Sequence, residues 1–282
     1  MIIVTDSASD IRGEEVEKFN VKVVPLRVSF GDKTYKDCVD LSIDEFYNLL
    51  ETEKDFPKTS QPSPQDYVDI YEEAKKTGEE VLVITISTGL SGTYQAANLA
   101  KEIANYDNVT VVDSLSCLTG ERLEVINACR LRDEGKSVKE IVDVLEDIKH
   151  RVHIFSIVDT LEYFHKGGRL SKGAYTIGSL LNLKPFITLD KDGKIVKNGQ
   201  SIGYMKAFMT AEQQPKKFPI DKQYGLFYGY TKGIKNMEKL IDKTFKKFEM
   251  DSYDLSRIGC AAGCHIGPGG ICLVYVSTKV RE

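Results

Sequence analysis

The chain has 282 residues, of which 41% are hydrophobic and 28% charged, as is typical of a globular protein large enough for two domains. Its 38 basic and 42 acidic residues give a formal net charge of −4 without a dominant basic stripe, so we do not expect a nucleic-acid partner. No apolar run approaches the roughly 20 residues that a membrane span needs, and the first residues are typical of a strand and not of a signal peptide. We therefore expect a cytoplasmic protein.

The chain alternates short apolar runs with amphipathic segments. Those with helical periodicity are 9–19, 42–51, 64–76, 94–106, 117–134, 138–150, 159–165, 174–181, 204–217 and 234–248. Those with strand character are 2–4, 21–30, 34–36, 81–86, 109–112, 152–158, 184–189, 194–198, 223–230, 253–258 and 271–277. Segments 56–64, with three prolines, and 259–270, rich in glycine, are expected to be loops.

In the first half, strands of the buried type are separated by helical crossovers, which indicates a parallel sheet covered on both faces. The second half has an α+β pattern. We therefore predict an α/β fold with two lobes. These are an N-terminal, Rossmann-like parallel-sheet domain over residues 1–150 and a C-terminal α+β domain over residues 151–282.

The strand that begins at Val81 runs into a turn of small residues and then a helix. Free backbone N–H groups at the start of that helix, with the hydroxyls of Ser91 and Thr93, predict an anion site that Gly92 leaves open to a ligand. No Lys or Arg occurs between residues 77 and 100. Neutral donors suit a single carboxylate better than a polyphosphate. The alternative role for Ser91 is to cap the helix.

Two other strands of the predicted sheet end at Asp6 and Asp113. Ligands collect beyond the carboxyl ends of parallel strands, although turn formation or helix capping is the alternative role for both carboxylates. Cys260 and Cys264 with His265 suggest zinc, but a second pair of ligands at finger spacing is missing, so we predict free thiols, no metal and no cofactor.

Five short segments, which run in order over nearly the whole chain, resemble the DegV family. They are Val4-Thr5-Asp6-Ser7, Thr59-Ser60-Gln61-Pro62-Ser63, Ser87-Thr88-Gly89-Leu90-Ser91-Gly92-Thr93, Leu161-Glu162-Tyr163 followed by Gly168-Arg169, and His265-Ile266-Gly267-Pro268-Gly269. Members of that family are similar to the fatty-acid-binding (FakB-type) subunits of bacterial fatty acid kinase, which serve phospholipid metabolism.

The resemblance implies that the two lobes hold one long-chain fatty acid between them and that this chain is not itself an enzyme. It implies that Thr59, Ser91, His265 and the backbone N–H of Gly92 hold the carboxylate. A separate fatty acid kinase subunit would then form the acyl-phosphate. A transient contact with a membrane surface is a further expectation.

The resemblance also places the region that docks the kinase at Arg169, with Lys166 and Lys172 nearby. Without it, Arg169 is interpreted as a solvated loop charge.

Two enzyme classes remain as alternatives. A serine hydrolase would use Ser91 as nucleophile and His265 as base, with Asp6 or Asp113 to orient the base, but the turn is not G-x-S-x-G. A dinucleotide-dependent enzyme lacks G-x-G-x-x-G after the first strand.

Overall fold

The structure is a computed structural model that describes residues 1–170 and 182–281. The strands are β1 (Ile2–Asp6), β2 (Val21–Val24), β3 (Arg27–Phe30), β4 (Lys33–Lys36), β5 (Lys58–Ser60), β6 (Val81–Thr85), β7 (Val109–Asp113), β8 (Val152–Ile157), β9 (Leu183–Leu189), β10 (Ile195–Ile202), β11 (Leu226–Tyr230), β12 (Asp254–Arg257) and β13 (Ile271–Val276). The helices are α1 (Glu14–Lys18), α2 (Ile43–Thr52), α3 (Pro64–Thr77), α4 (Thr93–Ala104), α5 (Thr119–Asp133), α6 (Val138–Ile148), α7 (Glu162–Lys166), α8 (Gly203–Lys217), α9 (Lys235–Thr244) and α10 (Cys260–Ile266). The helix expected at 174–181 lies outside the described residues.

A four-stranded parallel sheet forms the core of the N-terminal half, in the order β2-β1-β6-β7. Successive residues of its strands point to opposite faces. Ile3 and Leu82 therefore pack in the core shared with α5 and α6, while Val4 and Val83 pack in the core shared with α3 and α4. The sheet is covered on both faces, as predicted.

The predicted strand 21–30 is wrong as a single element. It divides at Pro25, which has no N–H to donate to a sheet ladder. The residues before Pro25 join the parallel sheet as β2, and those after it form β3 of a three-stranded antiparallel sheet with the order β4-β3-β5. The third member, β5, comes from the proline-rich segment that we expected to be a loop, and it is an edge strand.

The C-terminal half contains a mixed six-stranded sheet with the order β10-β9-β8-β13-β11-β12. One face is covered by α8 and α9, whose buried residues include Phe208 and Leu240. The other face packs towards α5, which lies between the two large sheets and contacts β1 on one side and β8, β11 and β13 on the other. The strands of the two halves divide near residue 150, although the domain boundary at 150/151 remains a prediction.

Two local predictions are corrected. The helix expected over 9–19 is a 3₁₀ turn (Ser7–Ser9) followed, after Gly13, by the short α1, because Asp10 has φ 59° in the left-handed region. The cap of the 3₁₀ turn is Asp6, which accepts a hydrogen bond from Ala8 N at 3.0 Å. The segment 259–270 is not wholly a loop, since α10 occupies its first part.

Candidate functional site

The turn between β6 and α4 places Ser91 and Gly92 at the carboxyl edge of the parallel sheet. Gly92 is the N-cap residue and no side chain caps the helix. Ser91 Oγ lies 2.8 Å from Thr93 Oγ1, so its hydroxyl is not a helix cap. A Cβ on Gly92 would lie 1.9 Å from Gln61 Oε1, which shows how closely the turn after β5 approaches the start of α4.

Thr59 and His265 meet across the two halves of the chain. Thr59 lies on the edge strand β5 and His265 near the end of α10, and Thr59 Oγ1 is 2.9 Å from His265 Nε2. Among the described residues, His265 Nδ1 has no hydrogen-bond partner. Gly167 approaches that nitrogen so closely that a Cβ there would lie 2.1 Å from it.

These contacts define the protonation of His265. Burial, assisted by the positive charge of Arg169, lowers the pKa of His265 to about 3, so the imidazole is neutral at pH 7. A buried N–H without an acceptor is costlier than an unused lone pair, so we assign the proton to Nε2. Nε2–H then donates to Thr59 Oγ1, which leaves the Thr59 hydroxyl proton free for a ligand.

Arg169 brings a positive charge to this site that the sequence of the turn itself lacks. Its Nε donates to the carbonyl of Leu90 at 3.1 Å and its Nη1 to the carbonyl of Gly167 at 2.9 Å. Burial lowers the pKa of Arg169, and an arginine remains charged at neutral pH. The interpretation of Arg169 as an ordinary solvated loop charge is therefore wrong.

Thr59, Ser91, Arg169 and His265 line one cavity. Its other walls are mostly apolar, and a second apolar cavity adjoins it. The side chains that line both cavities are those of Cys117, Leu118, Phe164, Ile195 and Ile266. The second cavity continues along the C-terminal sheet, lined by Ile154, Val158, Ile187, Leu189, Ile271 and Cys272 among others.

A more open groove meets the first cavity at its polar end. It shares Leu90, Ser91, Arg169 and Ile195 with that cavity and adds Gly92. Lys166 lies elsewhere on the surface, where its Nζ is 2.6 Å from Glu162 Oε1 and also packs over the Phe56 ring. Lys172 is outside the described residues.

Among the described residues, the hydrogen bond between Ser91 and His265 that a serine hydrolase needs is not formed. The Ser91 hydroxyl is hydrogen-bonded to Thr93, and the His265 ring to Thr59. Asp113 accepts hydrogen bonds from Thr88 and Leu115, so it shapes the turns.

Asp6 accepts from Ala8 N and Ile86 N and is likewise a turn residue. Burial raises its pKa to about 7. All six cysteines are free thiols, and the zinc set of Cys260, Cys264 and His265 is not assembled in the described part of the chain.

Sequence reasoning missed three features of the site. The apolar wall residues carried no recognisable signal. Nothing in the sequence around Gly167 indicated that it approaches His265. The role of Arg169 in the cavity depends on a contact with Leu90, 79 residues away, that no local pattern reveals.

The sequence matches the family described as "Uncharacterised protein, DegV family" over residues 1–278. A DegV domain-containing protein of Staphylococcus aureus is 35% identical, with 98% of each chain covered. A Thermus thermophilus DegV family structure described as fatty acid binding has a TM-score of 0.87 and 29% identity, covering 98% of this chain and 99% of that one. A stearic acid-binding protein of Eubacterium ventriosum has a TM-score of 0.86 and 29% identity, with 98% of each chain covered. The chain therefore belongs to the DegV family.

Proposed function

We propose that this protein binds one long-chain fatty acid and presents its carboxylate to a separate fatty acid kinase, which forms the acyl-phosphate. The observation that carries the proposal is a pair of adjoining apolar cavities that ends at Thr59, Ser91, Arg169 and His265. The fatty acids named for the related structures agree with this ligand class. In this proposal the protein itself does not catalyse the transfer of phosphate to the fatty acid.

The acyl chain occupies the two apolar cavities in this proposal. A saturated tail of about 14 methylenes gains on the order of 11 kcal/mol on full burial, at about 0.8 kcal/mol for each methylene. Ordering of the ligand and loss of its free motion reduce this gain. An enclosed channel therefore suits such a ligand better than a surface groove.

The carboxylate lies at the polar end, where burial without partners would be penalised. The Thr59 hydroxyl donates to it with support from neutral His265, and Ser91 and the Gly92 N–H donate from the start of α4. Arg169 lines the same cavity and supplies charge assistance. The carboxylate thus has neutral donors and one cation, where the sequence alone predicted neutral donors.

The open groove at the polar end gives the kinase access to the carboxylate. The docking surface in this proposal includes this groove, with Arg169 at its inner edge. Lys166 and Lys172 are proposed as further docking residues only because the resemblance to the family implies them. Transient contact with a membrane surface would allow the fatty acid to enter and leave. In the described part of the chain, no helix is both long and apolar enough to cross a bilayer. The cytoplasmic location stays a prediction.

Reconstitution with a purified fatty acid kinase subunit, ATP and palmitate tests the proposal. We expect acyl-phosphate, trapped as the hydroxamate, only when both proteins are present. The Thr59→Val and His265→Ala variants should lower its yield at limiting palmitate. Hydrolysis of a fluorogenic acyl ester by this chain alone, lost in Ser91→Ala, would contradict the proposal and support a hydrolase.

A further inference from the structure

Two cysteines that are distant in sequence meet beside the fatty acid cavity. Cys38 lies in the loop after β4, and Cys260 is the first residue of α10. Their sulfur atoms and a carboxylate oxygen of Asp37 all lie within 4.8 Å of one another. A disulfide has an S–S distance of about 2.05 Å, so the two sulfurs need to approach by less than about 3 Å to bond.

The polar groups around this pair favour thiol chemistry over metal binding. Asp37 Oδ1 accepts hydrogen bonds from Cys260 N at 2.9 Å and from Cys38 Sγ at 3.2 Å, and its Oδ2 accepts from Ser7 Oγ at 2.8 Å. Both carboxylate oxygens are therefore engaged. Arg12 Nη1 lies 3.6 Å from Cys38 Sγ, where its positive charge opposes a bound cation.

The two thiols differ in their access to solvent. Cys38 is partly exposed and lines a surface cleft with Arg12 and Val39. Cys260 is buried, and its pKa is raised by its hydrogen bond with Cys38 and by burial. Cys38 therefore suits the role of the attacking sulfur and Cys260 that of the resolving sulfur.

We propose that Cys38 and Cys260 form a reversible thiol–disulfide site that reacts with peroxides. The Cys38 sulfur attacks a peroxide oxygen, the O–O bond breaks, and Cys38 becomes a sulfenic acid while the leaving hydroxide takes the thiol proton as water. The Cys260 sulfur then attacks the Cys38 sulfur, the S–O bond breaks, and the leaving hydroxide takes the Cys260 proton as water. The peroxide is reduced and the two thiols are oxidised, and a dithiol reductant restores both.

The disulfide would tether the loop after β4 to the start of α10. That helix also carries Ala262 and His265, which line the polar end of the cavity. Oxidation would thus tether the helix that positions His265. The chemistry of the pair does not depend on which ligand the cavity binds.

The test is oxidation of the folded, full-length protein with hydrogen peroxide, followed by acid quench, alkylation under denaturing conditions and peptide mapping. We expect the free thiols to fall from six to four, a mass loss of about 2 Da and a peptide pair linking Cys38 to Cys260, all reversed by dithiothreitol. Cys129→Ser, a buried substitution away from the pair, should retain the cross-link, whereas Cys38→Ser and Cys260→Ser should lose it.

Three results would overturn the proposal. They are six free thiols after oxidation, a cross-link between other cysteines, and a stoichiometric zinc ion that survives dialysis and blocks alkylation of Cys38. Each is read on the parent protein, so the test holds even if a variant fails to fold.

Discussion

Thr59→Val tests how the carboxylate is held. The substitution removes one hydroxyl and keeps the β-branched shape that suits strand β5. Thr59 Oγ1 lies 2.9 Å from His265 Nε2, so the variant loses the donor to the ligand and also leaves Nε2–H without its acceptor. A hydrogen bond to a charged group contributes about 1.5–3 kcal/mol. The dissociation constant should therefore rise about ten- to a hundredfold.

The assay is calorimetric titration of the delipidated protein with palmitate at pH 7.5. Thr59→Ser is the matched control, because it keeps the hydroxyl, and its dissociation constant should stay within about threefold of the parent's. Methyl palmitate is the matched ligand, because it keeps the tail without the charge. The parent and Thr59→Val should bind this ester with nearly equal affinity.

A palmitate dissociation constant for Thr59→Val within about twofold of the parent's would refute the assignment of Thr59 to the head group. An equal loss for the acid and its ester would refute it as well, because such a loss would indicate a general distortion of the cavity.

Four further predictions follow from the same site. The pKa of His265 is about 3 in the folded protein and near 6.5 in the unfolded chain, so the free energy of unfolding should fall as the pH falls through this interval. Between pH 7 and 5, the free energy of unfolding of His265→Gln should fall by up to about 2 kcal/mol less than that of the parent. An equal fall for both proteins in urea unfolding would contradict this prediction. Gly167→Ala places a Cβ 2.1 Å from His265 Nδ1 and should weaken palmitate binding at least about tenfold, with the unfolding midpoint as control for folding. Ile187→Trp fills the second cavity and should shift the co-purifying lipids to shorter chains; an unchanged lipid profile in a folded variant would place the tail elsewhere. Arg169→Ala should slow acyl-phosphate formation by the kinase at saturating palmitate, and a rate equal to the parent's would remove Arg169 from the docking surface.

Local signals predicted the part of the site that a single stretch of chain builds. The β-branched run of β6, the small-residue turn and the spacing of α4 define a strand–turn–helix unit without help from distant residues. The alternation of strands and crossovers likewise predicted the parallel sheet. The division of strand 21–30 at Pro25 was missed, although a proline in the interior of a predicted strand argues against a single strand.

The hydrophobic periodicity of the sequence did not predict contacts between distant segments. Thr59 and His265 are 206 residues apart, and the resemblance to the DegV family named both without giving their contact. Arg169 was predicted only as a docking residue, because no sequence pattern shows that its guanidinium donates a hydrogen bond to the carbonyl of Leu90. The helix α10 was missed because its seven residues, with a glycine in the middle, are too few to show a helical period.

Native mass spectrometry of the protein purified from bacteria, before and after organic extraction, tests fatty acid binding most directly. We predict one bound species per chain with the mass of a long-chain fatty acid. Extraction should release it, and added palmitate should replace it at the same stoichiometry. A chain that carries no lipid and takes up no palmitate, or one that retains a nucleotide, would contradict the proposed function.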